Sequence, residues 1–187
     1  MLPTGLPTLF RYSDAVAEIG ESALRSLLAD GRVERMGHGL YRWSDAIIDE
    51  DLAEIAARSP RATLCLRTAL ARHNLIDDIP AVIDVAVPRG SWTPTTQAPV
   101  QWHHFAINTF DVGRDTLQAL GASIGIYSPE RSIIDAFRLQ HHVGPELARD
   151  ALKTWLRHGG QPSTLLGMAD AFPRTLTTIR TTLEILL

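Results

Sequence analysis

An α+β fold is what this chain predicts, and three observations predict it. Apolar residues recur at helical spacing in several stretches, β-branched runs such as Val82-Ile83-Asp84-Val85-Ala86-Val87 stand between them, and from Ser128 onward the helical period dominates. A new section begins at Ser44-Asp45, so the expected organisation is a small N-terminal domain over 1–44 and a mixed domain over 45–187. The second is expected to hold a small β-sheet and a helical C-terminal part.

The bulk numbers fit a folded protein. The 187 residues are 45% hydrophobic and 21% charged, enough apolar material for one ordinary domain or two smaller ones. No 18-residue apolar stretch is present, and the first residues lack the basic-then-apolar layout of a secretory leader, which leads to the expectation of a cytoplasmic protein without a membrane partner. The single cysteine, Cys65, lies in the apolar run Ala62-Thr63-Leu64-Cys65-Leu66 and is expected to be a buried, inert thiol.

Taken in order, Leu2–Phe10 carries Pro3, Gly5 and Pro7 and is not expected to form a regular helix. Ser13 can cap a short helix over 14–19, Gly20-Glu21 breaks it, and Ser22 opens a second helix running to about Ala29. On that second helix Leu24, Leu27 and Leu28 make one apolar stripe, with Ser22, Arg25, Ser26 and Ala29 opposite. Asp30-Gly31 ends it. Val33–Met36 and Leu40–Trp43 read as two strands around the tight turn Gly37-His38-Gly39.

Two short helices across a glycine turn, then a hairpin, is the order of a winged helix-turn-helix. The leucine stripe would seat the second helix on the first and leave its small polar face free for the major groove of DNA. Ser22, Arg25 and Ser26 are the expected base-facing residues. Arg32, Arg35, His38, Tyr41 and Arg42 would contact phosphate or the minor groove from the hairpin. The formal net charge of −3 argues against a generally basic nucleic-acid binder, but its distribution matters more. Five arginines balance five acids over 1–44, and positions 32–42 hold three arginines and His38 against Glu34 alone.

Beyond residue 44, helices are expected over about 47–58 and 62–73, strands over 82–87, 100–107 and 122–127, and a further short strand around Asp115–Leu120. Ser128-Pro129-Glu130 is a helix start with cap, proline and acid in place. Pro145 opens another helix with Leu147, Ala148, Ala151, Leu152 and Trp155 at helical spacing; helices over 163–171 and 173–186 complete the chain. Chemistry-bearing patterns are few. His103-His104 would point to opposite faces of a strand, which disfavours a shared metal, and His141-His142 read as a solvated loop. Asp49-Glu50-Asp51 suit the first turn of a helix, while Asp77-Asp78 sit in a loop. Arg89, Arg131 and Arg138 read as solvated or helix-end cations, with protein or nucleic-acid contacts as the alternative. The stripe Leu176, Ile179, Leu183, Leu186 reads as closing a helical core, with a docking face as the alternative. No phosphate-binding loop or nucleophile elbow is present, so no enzyme, cofactor or metal is expected.

Three segments carry a family resemblance. Leu28–Arg42 is similar to the winged-helix end of the AbiEi family of antitoxins. Leu66-Arg67-Thr68-Ala69-Leu70-Ala71-Arg72-His73-Asn74-Leu75, with Ile79-Pro80 and Val87-Pro88-Arg89-Gly90-Ser91-Trp92, looks like its central region. Tyr127-Ser128-Pro129-Glu130-Arg131-Ser132-Ile133-Ile134-Asp135-Ala136-Phe137-Arg138 resembles its C-terminal helix start. The segments stand in the family's order over roughly 10–160. The resemblance implies a two-domain antitoxin of a type IV toxin–antitoxin pair, which represses its own operon by binding promoter DNA and neutralises a nucleotidyltransferase-like toxin. A homodimer would double its phosphate contacts. A protein-only antitoxin that blocks its toxin directly, or a plain transcriptional repressor without a toxin, are the alternatives.

Overall fold

A computed structural model describes residues 5–37 and 39–187. Its first strand, β1 (Leu9–Arg11), runs straight into α1 (Tyr12–Ile19), two residues before the expected start at Asp14. The sequence reading missed β1, which is only three residues long. Gly20, at φ 79° and ψ 157°, separates α1 from α2 (Glu21–Ala29). That conformation is open to glycine and strained for any side chain, so Gly20, and not a serine cap, sets the break between the helices. After α2 come β2 (Val33–Gly37) and β3 (Leu40–Trp43), then α3 (Glu50–Arg58). The three strands form an antiparallel sheet in the order β1-β3-β2, with a bulge between Arg35 and Gly37.

One apolar cluster holds these elements together. Phe10, Ala15, Leu24, Val33, Tyr41 and Trp43 are buried in it, and Val16, Ile19, Leu27 and Leu28 pack against it half-buried. The chain divides into Met1–Pro60 with Gln118–Ser123, and Arg61–Leu117 with Ile124–Leu187. The boundary therefore falls after Pro60 and not at 44. The reason lies in α3: Arg42 pairs with Glu50 at 2.9 Å, and the Arg11 guanidinium donates to the Ala57 carbonyl, so the helix is tied to the N-terminal sheet. Asp49 caps α3, accepting from the Leu52 N–H at 3.1 Å, with Glu50 and Asp51 in the first turn as expected.

The second unit is built on a five-stranded sheet in the order β6-β5-β4-β8-β7. Its strands are β4 (Thr63–Leu64), β5 (Ile83–Pro88), β6 (Val100–Phe105), β7 (Arg114–Ala119) and β8 (Ala122–Tyr127). β4 pairs antiparallel with β5 and parallel with β8, while β5 and β6 are parallel. The two-residue β4 and the short helix α5 (Ile107–Phe110) were not legible in the sequence. The remaining helices are α4 (Leu66–Arg72), α6 (Pro129–Arg138), α7 (Gln140–Val143), α8 (Pro145–Arg157), α9 (Pro162–Ala169) and α10 (Pro173–Leu186). His141 and His142 thus lie on the short helix α7, exposed, and not in a loop.

α6 lies at the centre of this unit. Ser128 caps it, accepting from the Arg131 N–H at 3.3 Å, and Pro129 fixes its first turn. Ile133, Ile134, Ala136 and Phe137 pack against Leu70 of α4, Ala148 and Leu152 of α8, Leu165 of α9, and Ile179 and Leu183 of α10. Leu176 and Leu186 join that core half-buried, so the last helix closes it as its stripe suggests. Cys65 is fully buried, and burial pushes its thiol well above the ordinary value.

Arg131 overturns the surface reading given to it from sequence. It is 0% exposed, bonded through Nε to Asp135 at 2.9 Å and through Nη1 to the Thr109 carbonyl at 2.7 Å. Its guanidinium lies 4.1 Å from the Tyr127 ring centre and 4.6 Å from that of Phe172. Asp135, also 0% exposed, takes a second ion pair from Arg138. Desolvation pushes the Asp135 carboxyl up, and the two guanidiniums oppose that shift. A charge this deep needs both a counter-ion and hydrogen bonds, and Nε and Nη1 of Arg131 have them.

Candidate nucleic-acid interface

The candidate interface begins with the seating of α2. Leu24 is 1% exposed, and Leu27 and Leu28 are half-buried against the N-terminal core. Residues one and two positions away must then turn outward. Ser22, Arg25, Ser26 and Ala29 are exposed, which makes a face of short side chains with one guanidinium among them. The helix ends by a glycine device: the Gly31 N–H donates to Leu28 O at 3.2 Å and the Arg32 N–H to Leu27 O at 3.0 Å, with Gly31 at φ 66°. This closure delivers Arg32 into solvent immediately before β2.

Electrostatically the face is mixed. Arg25 pairs with Glu21 at 2.7 Å, one helical turn back, and both side chains are more than half exposed. Such a pair is weak and its guanidinium can be given up to a stronger anion. Tyr12, exposed beside this pair, has its hydroxyl pKa raised first by a hydrogen bond to Glu21. Sequence reading missed Tyr12 as a member of this surface; only the pairing of β1 with β3 brings its ring within 6.3 Å of Tyr41.

The hairpin residues separate into two kinds. Glu34 and Arg42 face each other across β2 and β3, and Arg42 binds Glu34 and Glu50, each at 2.9 Å. Arg42, expected to grip phosphate, is thus held by two carboxylates. Tyr41, also expected at the interface, is 8% exposed and stacks on Phe10 in the core. It supports the hairpin and does not present its ring outward. Arg32 and Arg35 are exposed, and no side-chain partner is found for either among the described residues. His38 lies outside the described residues. The hairpin turn is fixed to the start of α1 by the Tyr12 N–H, which donates to Gly39 O at 2.8 Å.

Hydroxyls at Ser22 and Ser26 and guanidiniums at Arg25, Arg32 and Arg35 are the outward donors here, a set able to bond phosphate oxygens or base edges. No group of three or more His, Cys, Asp or Glu among the described residues is arranged to hold a metal ion. His103 is instead bonded to Asp84 at 2.8 Å. No described helix is long and apolar enough to cross a membrane. No protein-family model matches the chain, and no curated protein matches it in sequence.

Proposed function

We propose that this protein is a DNA-binding antitoxin of the AbiEi type. Its N-terminal unit acts as a winged helix-turn-helix that represses its own operon, and the rest of the chain neutralises a nucleotidyltransferase-like toxin. The observation that carries the DNA-binding part is the orientation of α2: leucines anchor one side, and Ser22, Arg25 and Ser26 stand exposed on the other. Any surface helix has a polar face; short hydroxyls around a single guanidinium are the kind of face that fits a major groove. Arg32 and Arg35 supply phosphate contacts beside it, while Arg42 and Tyr41 hold the hairpin in shape. The antitoxin part rests on the family resemblance of three ordered segments.

A gel-shift titration on the chain's own promoter tests the first part. The Arg25→Ala variant should lose about 1–3 kcal/mol of preference for the cognate site over a scrambled duplex. Equal binding of both duplexes by the unaltered protein ends the reading. Co-expression with the product of the adjacent reading frame tests the second part, which requires rescue of growth.

One feature favours a protein-only antitoxin as the second reading: Glu21 engages Arg25, the guanidinium of the outward face of α2, and Glu34 and Glu50 take Arg42 out of the set of free cations. Stable co-purification with the toxin, combined with no promoter shift, selects it.

A further inference from the structure

The second unit contains a cleft of about 660 Å³ that plays no part in the reading above. Three arginines from three different elements line it: Arg67 of α4, Arg89 in the turn after β5, and Arg138 at the end of α6. His103, His104 and His142 line it too, and its sole carboxylate among the described lining residues is Asp84. We propose that this cleft binds a phosphate monoester of about mononucleotide size.

The charge balance favours a dianion. Asp84 is already engaged by His103 at 2.8 Å, and both side chains are largely buried. Arg138 offers little cancelled charge, because the carboxylate it meets, Asp135, is shared with the buried Arg131. Two guanidiniums on one carboxylate leave a net positive charge beneath the cavity wall, where low dielectric extends its field. Arg67 donates to the Val143 carbonyl at 2.9 Å, and its one ion pair among the described residues is with Asp78 at 3.7 Å, 78% exposed. Arg89 is exposed, with no side-chain partner among the described residues.

Geometry argues for the same ligand. Arg138 is held over the Phe105 and Phe172 rings at 5.4 and 4.8 Å, so its planar fork is oriented before any ligand arrives. The Arg89 N–H donates to Phe105 O at 2.8 Å, which fixes the turn against the end of β6. Three lining arginines from separate elements suit the three terminal oxygens of a phosphate monoester better than the two of a carboxylate. The volume lies within the range of small-molecule sites and exceeds what a bare ion needs. Phe105, Leu139 and Val143 add an apolar wall for the body of the ligand.

Calorimetric titration of the full chain with inorganic phosphate, AMP and adenosine, at ionic strength held constant with chloride, tests this. Phosphate and AMP should bind, AMP the tighter, and adenosine should not. Arg89→Gln removes an exposed side chain without a side-chain partner among the described residues and should weaken AMP binding roughly ten-fold or more while leaving the melting temperature in place. Arg67→Gln should act in the same direction. Absence of binding up to on the order of 10 mM phosphate or AMP overturns the proposal, as does unchanged affinity in Arg89→Gln, or adenosine binding as tightly as AMP. A loss of promoter affinity in Arg89→Gln without any AMP binding also overturns it, making the cleft a nucleic-acid contact. Because these residues lie outside the N-terminal unit, failure here leaves the gel-shift result on Arg25 untouched.

Discussion

Arg35 and Arg42 sit on paired strands of one hairpin, yet replacing each with alanine should have different consequences for DNA binding. Both changes remove one positive charge. Arg35 is exposed without a side-chain partner among the described residues, so in the proposed complex its guanidinium displaces a counterion from phosphate. Losing one such contact lowers the slope of log affinity against log salt by about 0.9. Over a four-fold rise in salt, from about 50 to 200 mM, the gap between the unaltered protein and Arg35→Ala should then narrow about 3.5-fold. Arg42 is 21% exposed and already carries Glu34 and Glu50 at 2.9 Å. Its removal should leave the slope unchanged, because no phosphate contact is lost. It frees two carboxylates whose repulsion of DNA is damped beyond a screening length of about 8 Å. It should also cost up to about 1 kcal/mol of stability per pair, a fall of roughly 2–4 °C in Tm for a chain of this size. Fluorescence anisotropy at four salt concentrations and a thermal melt measure both quantities. Equal slope changes in the two variants, or a flat response to Arg35→Ala, would mean that the hairpin does not meet the backbone as argued.

Other consequences follow from burial. Leu24→Ala empties a 1% exposed position beneath α2 and should cost about 2–5 kcal/mol, seen as early unfolding of the N-terminal unit in urea. Ser26→Ala on the opposite face should change stability by less than about 0.5 kcal/mol while weakening the promoter complex; the reverse pattern would invert the helix. Asp135→Asn leaves Arg131 charged and buried without its counter-ion, and should cost about 3–5 kcal/mol by denaturant titration, far more than any surface pair. Burial raises the pKa of both Cys65 and Tyr127, so the folded chain holds protons that the unfolded chain releases. Stability should therefore be full below the ordinary thiol value of about 8.5 and decline as pH rises past it, more steeply above about 10. Melting temperatures at a series of alkaline pH values give the check, and native Cys65 should resist alkylation at neutral pH.

The α+β class and most long elements were legible because their periodicity is strong. α2, α6, α8 and α10 each carry an apolar stripe several turns long, and β5 and β8 are β-branched or apolar runs bounded by turns. What escaped was short. β1 and β4 have three and two residues, too few for a period to register, and each exists only because a neighbouring strand lies ready to pair with it. The unit boundary escaped for a related reason: α3 reads alike on either side of it, and long-range contacts such as those of Arg11 and Arg42 tie it to the N-terminal unit. At the candidate interface the exposed face of α2 could be read from spacing. The pairing of Arg42 with two acids distant in sequence could not, since Glu34 and Glu50 lie eight positions away on either side.

Arg131 shows where amphipathic reasoning breaks. On α6, Arg131, Asp135 and Arg138 follow one another at four and three residues, the spacing of a charged solvent face, while Ile133, Ile134 and Phe137 supply the apolar one. The structure buries every residue from Arg131 to Phe137. With the Phe172 and Tyr127 rings over Arg131, the middle of the helix has no solvent face, so the same spacing becomes an internal network. The two situations have one sequence pattern but different requirements. On a surface, water satisfies the arginines and the acid is optional; in the interior, the acid and the Thr109 and Val112 carbonyls are obligatory. One guanidinium nitrogen, Arg131 Nη2, remains buried without a partner among the described residues, so the interior solution is incomplete. That surplus of positive charge on one carboxylate is the physical link between the helix centre and the arginine-lined cleft on its flank. In the proposed cleft, that surplus would add to the field of Arg67 and Arg89.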